Sequence, residues 1–129
     1  MEELPIILVV DDDPLIHGIV EPALAAGGFA PVIALSGEEA VTLLNEGKGK
    51  YRALVTDIDL GPGKMDGWEV ARHAREIDPA FPIIYMTAAS ANQWPANGVP
   101  DSILVTKPFA PAQLVTAVSN LLNTAPPTT

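Results

Sequence analysis

Four short apolar runs each stop at a residue able to do chemistry. Ile6–Val10 stops at Asp11-Asp12-Asp13, Ala53–Thr56 at Asp57, Pro82–Met86 at Thr87, and Ile103–Thr106 at Lys107, which precedes Pro108. Runs this short and this uniformly apolar read as parallel strands buried on both faces. The residues just past such strands collect along one edge of the sheet, where open α/β sheets bind ligands. One acidic cluster with a hydroxyl and an ammonium at its rim suits a metal ion together with a phosphoryl group.

Helix signals fill the gaps between the strands. Asp13 can cap a helix with Pro14 at its first position, running to about Ala26 and stopping at Gly27-Gly28. Pro22 lies inside that helix and is expected to kink or shorten it. A second strand over about Pro31–Leu35 contains a proline, which points to a sheet edge. Ser36-Gly-Glu-Glu39 has the capping-box pattern for a helix to about Glu46, and Gly47–Lys50 turns into the third strand. Asp66 caps a helix to Ile77, ahead of Asp78-Pro79. The segment Ala88–Asp101 holds Pro95, Gly98 and Pro100, so any helix there is short or broken. Pro111 opens a last helix with Leu114, Val115, Val118, Leu121 and Leu122 on one face.

Strand alternating with helix implies one α/β domain, a doubly wound parallel sheet with right-handed crossovers. Five strands and five helices fit the flavodoxin-like (βα)5 order 2-1-3-4-5, with an irregular fourth helix, over residues 5–123. Residues 124–129 read as a tail or the start of a linker. In this order strands 1 and 3 are neighbours at the topological switch point, which brings Asp11, Asp12 and Asp57 together. Lys107 starts about 10 Å from the third strand, a gap that an extended side chain plus a bound phosphoryl group would fill.

Composition narrows the chemistry. The 129 residues contain no cysteine, which removes disulfides and thiolate sites. Net charge is −9, from 16 acidic and 7 basic residues, so direct nucleic-acid binding through a basic patch is disfavoured. No apolar run approaches the length needed to span a bilayer, and the N-terminus is acidic where a secretory signal is basic, so a cytoplasmic location is expected. Crowded carboxylates repel unless a cation joins them; oxygen ligands with room for water favour Mg²⁺. His17 and His73 are expected to be solvated, and Arg72 and Arg75 to decorate an exposed helix face.

Four segments carry a family resemblance: Ile7–Pro14, Leu54–Leu60 with Met65-Asp-Gly67, Met86-Thr-Ala88 and Val105–Phe109. Together, in this order, they resemble the CheY-like receiver domains of two-component response regulators, over about Pro5–Leu122. The resemblance implies a phosphoacceptor module that chemically modifies only itself, with slow autodephosphorylation. Asp57 would accept the phosphoryl group. Asp11 and Asp12 would form the acidic pair, with Asp12 the direct Mg²⁺ ligand, and Asp59 would supply a backbone carbonyl to the metal. Lys107 would contact phosphoryl oxygens, Thr87 would be the switch hydroxyl, and Ala88 the small residue that leaves the acceptor accessible. The implied partners are a histidine kinase or histidine phosphotransfer protein and a downstream protein; the resemblance also allows a homodimer.

Two departures stand out. Leu104 occupies a position where many receivers carry Tyr or Phe, and the loop Gly61–Lys64 is about two residues longer than usual. Two other functions compete. Asp57-Ile-Asp59 also resembles the nucleophile and acid/base pair of haloacid-dehalogenase-type phosphatases, although those enzymes place their acidic metal pair late in the chain. A degenerate receiver that binds partners without phosphorylation is the third reading.

Overall fold

The computed structural model describes residues 4–60 and 65–124. Five strands form one parallel sheet, β1 (Ile6–Val10), β2 (Ala30–Ala34), β3 (Tyr51–Asp57), β4 (Ile83–Thr87) and β5 (Ile103–Thr106), in the order β2-β1-β3-β4-β5. The helices are α1 (Pro14–Ala26), α2 (Gly37–Glu46), α3 (Gly67–Ile77), α4 (Trp94–Asn97) and α5 (Pro111–Thr124). The expected fold class holds, with the proline-bearing β2 at an edge. Of the expected tail, Thr124 is the last residue of α5 and the rest lies outside the described residues. Gly61–Lys64, expected to form a longer loop than usual, lies outside them too.

Both faces of the central strands β1, β3 and β4 are largely buried, which is why those strands look apolar in the sequence. Alternation along β1 sends Leu8 and Val10 to one face and Ile7 and Val9 to the other. On the first face Leu54, Tyr85, Trp68 and Leu44 complete a core beneath α2 and α3. On the second, Val55, Ile84 and Met86 meet Val20 and Leu24 of α1 and Leu114 and Val118 of α5. Trp68 is therefore a core residue, its ring 4.7 Å from that of Tyr85.

Capping follows the sequence with two adjustments. Asp13 accepts from the Leu15 amide at 3.0 Å, and Pro14 opens α1. Pro22 does not shorten α1, which runs to Ala26. Gly18 and Pro22 both face solvent, so water can satisfy the carbonyl that the missing amide leaves. Ser36 caps α2 through the Glu39 amide, but the Glu39 carboxylate reaches the Leu35 amide and not Ser36. The full capping box sits at α3, where Asp66 and Glu69 bond each other's backbone amides. α4 is a single turn preceded by a 3₁₀ turn at Ala91–Gln93, as its prolines and glycine dictate. Among the described residues no helix is long and apolar enough to cross a membrane.

Candidate functional site at the carboxyl edge of the sheet

Register alone brings the chemistry together. Val10 pairs with Thr56, so Asp11 and Asp57 leave neighbouring strands side by side. Asp57 pairs with Met86, and Thr87 with Thr106, so Thr87 and Lys107 follow along the same edge. Three backbone bonds fix these ends: Asp11 to Ala34, Ile58 to Met86, and Lys107 to Thr87.

Asp11, Asp12 and Asp57 each present a carboxylate oxygen, all within 4.8 Å of one another. Asp11 and Asp57 are buried and Asp12 is exposed at the mouth. The Lys107 ammonium lies 3.1 Å from Asp11 and 3.5 Å from Asp57. The lysine thus spans the whole gap itself, where the sequence left part of it to a phosphoryl group. The Lys107–Pro108 peptide bond is cis.

Burial raises the Asp57 carboxyl, the Asp11 charge raises it further, and Lys107 offsets this only in part, leaving it at about 6. Burial pulls the Lys107 ammonium down, but Asp57 and Asp11 outweigh it and the net direction is up. The lysine stays charged, and the pocket holds more negative charge than it neutralises.

The remaining expected residues line the rim. Thr87 is buried, and its Oγ1 accepts from the amides of Ala89 and Ser90 at 3.2 and 2.7 Å. Ala88 is exposed. Asp59 is exposed, its carboxylate is not part of the three-carboxylate cluster, and it accepts from the Ser90 hydroxyl. Leu104 is half-buried against the core that holds Trp68 and Tyr85, and the Tyr85 hydroxyl accepts from the Val99 amide.

Sequence reasoning overlooked several contacts. His17 is not simply solvated; its Nε2 bonds the Asp11 carbonyl, which helps hold the acidic corner. Arg75 is half-buried and donates to the Phe81 carbonyl, whereas Arg72 is exposed as expected. Trp94 bonds Ser102 from a half-buried position. No spacing rule flags a contact between a helix histidine and a strand-end carbonyl six residues away.

The family model for the response regulator receiver domain matches residues 7–119. The chain belongs to the response regulator receiver family. A response regulator receiver protein from Sinorhizobium medicae has 44% sequence identity and a TM-score of 0.91, covering 96% of this chain and 98% of that one. The transcriptional regulatory protein TrcR of Mycobacterium tuberculosis is 32% identical over 90% of this chain and 44% of its own length. The probable transcriptional regulator ycf27 of Cyanophora paradoxa is 34% identical over 90% of this chain and 47% of its own. This receiver spans about half the length of the curated relatives it matches. It is a signalling module of a two-component system, and its acidic pocket fits a phosphoacceptor site. The phosphatase reading falls away with the family.

Proposed function

We propose that Asp57 accepts a phosphoryl group from a histidine kinase or histidine phosphotransfer protein. The observation that carries this reading is one buried carboxylate flanked by two others within 4.8 Å and by an ammonium at 3.5 Å. A carboxylate oxygen of Asp57 attacks phosphorus, the bond from phosphorus to the donor imidazole breaks, and an acyl phosphate forms. Lys107 balances charge on the phosphoryl oxygens, and the Thr87 hydroxyl becomes a donor to one of them. Ala88 keeps the approach to Asp57 open.

The donor set fits Mg²⁺. Its side-chain ligands are all carboxylate oxygens, with neither imidazole nor thiolate among them. Asp11, Asp12 and Asp57, with the Asp59 carbonyl, would hold the ion. Bound there, Mg²⁺ would reduce repulsion between the carboxylates and an incoming phosphoryl group. The only chemistry in this reading is on the chain itself, phosphorylation and slow autodephosphorylation; output passes to a downstream protein or to a second copy.

Acetyl phosphate with Mg²⁺ should add one phosphoryl group to the protein, read by intact mass, and Asp57→Asn should abolish it. Equal labelling of the variant would remove Asp57 from the role.

A further inference from the structure

Ser90 is a buried polar residue outside the acidic cluster, yet it holds two groups at its rim. Its amide donates to Thr87 Oγ1 at 2.7 Å. Its hydroxyl donates to the Asp59 carboxylate and lies 3.2 Å from each oxygen. One residue therefore straps the loop after β4 onto the loop after β3.

The strap spans a segment with little else to fix it. Thr87 is anchored in the sheet, its carbonyl bonded to the Lys107 amide at 2.7 Å. Ala88 and Ala89 are exposed and have no side-chain polar atoms. The turn from 87 to 90 is thus held by the two amides on Thr87 Oγ1, by the Ser90–Asp59 bond and, at its far end, by the Gln93 amide on the Ser90 carbonyl. That last bond is long, shared between two oxygens, and made to an exposed carboxylate. It is weak enough to open, because solvent can take over the carboxylate.

We propose that Ser90 is a positioning residue, a latch that keeps the Thr87 hydroxyl engaged with its own turn until Asp57 is phosphorylated. This rests on the phosphoacceptor reading above. Moving the Thr87 hydroxyl toward Asp57 must break or drag its bond from the Ser90 amide, and Ser90 is tethered through its side chain to the neighbouring loop. The resting and engaged turns form a two-state element, and the Ser90–Asp59 bond adds stability to the resting one alone. Cutting that bond raises the fraction of molecules ready to close on a phosphoryl group, and apparent affinity rises with that fraction.

The test is the dependence of labelling on acetyl phosphate concentration, with Mg²⁺ present and intact mass as readout. Ser90→Ala should lower the half-saturating concentration about three- to tenfold with the maximal rate little changed. Ser90→Thr keeps a hydroxyl and should return toward the original value. In an Asp59→Ala background, Ser90→Ala should have no further effect, because the partner is already gone. An unchanged or higher half-saturating concentration for Ser90→Ala overturns the latch, as does an undiminished effect in the Asp59→Ala background. If Ser90→Ala does not fold, Asp59→Ala with and without Ser90→Thr decides the matter: any dependence on residue 90 there counts against the latch. Wild-type protein that labels at Asp57 while Ser90→Ala behaves identically sinks the latch alone. Absence of labelling, or labelling that survives Asp57→Asn, sinks the underlying reading and the latch with it.

Discussion

At neutral pH Asp57 is ionised against the preference of its surroundings. The unfolded chain releases this proton near 3.8, whereas burial and the Asp11 charge make the folded chain hold it to about 6. Between those values the folded state binds more protons, so stability falls as pH rises through the window. A neutral side chain of the same shape recovers what ionisation costs. Asp57→Asn should therefore be more stable than the parent by about 1–2 kcal/mol at neutral pH without divalent ions, and equal to it below about pH 4. Urea unfolding at the two pH values measures this. Lys107 is not orphaned by the change, since its shorter bond, 3.1 Å, is to Asp11. Equal stability of the two proteins at neutral pH would mean that Lys107 already neutralises Asp57.

At the scale of elements, the start of α3 sets the end of β3. Gly67 donates its amide to the Ile58 carbonyl at 2.9 Å, and a Cβ on Gly67 would run into the Asp57 carbonyl and sit 2.8 Å from the Ile58 Cα. These are backbone atoms, which cannot swing aside. Gly67→Ala should push the Asp57–Ile58 segment and α3 apart, with a stability loss of about 2–3 kcal/mol and slower labelling of Asp57. Thermal unfolding and intact mass check the two effects; a fully stable Gly67→Ala would show that the helix start can shift freely. The sequence displayed this contact only as a Met65-Asp-Gly67 pattern, without its physical cause. The same division recurs elsewhere. Strands β1, β3 and β4 were legible because burial on both faces leaves apolar runs, and Asp57 was legible as the residue that ends one. Ser90 and Asp59 were not paired in advance, since a loop serine carries no periodicity that points across 31 residues. The reach of Lys107 depends on side-chain extension and the hold of His17 on Asp11 on helix orientation, neither of which residue spacing encodes.

The whole molecule distributes its charge unevenly. Beyond Asp78 the sequence carries only Asp101 and Lys107 as charged residues, so the net −9 belongs to the part that supplies β1, β3 and the acidic cluster. Two effects then draw a divalent cation to the pocket, the local ligand set and the broader negative field. They differ in range. At 0.1 M salt the field of exposed charges is screened within about 10 Å, while direct carboxylate ligation is screened far less. About 10 mM Mg²⁺ should raise the melting temperature by about 3–5 °C at low ionic strength, through binding to the folded state alone. At about 0.5 M NaCl the shift should shrink without vanishing. Asp57→Asn separates the contributions, because it removes one ligand from the cluster and only one charge from the field. The variant should lose most of the Mg²⁺ shift. A shift that survives in the variant and disappears with salt would assign the ion to the diffuse field and leave the three carboxylates without a bound metal.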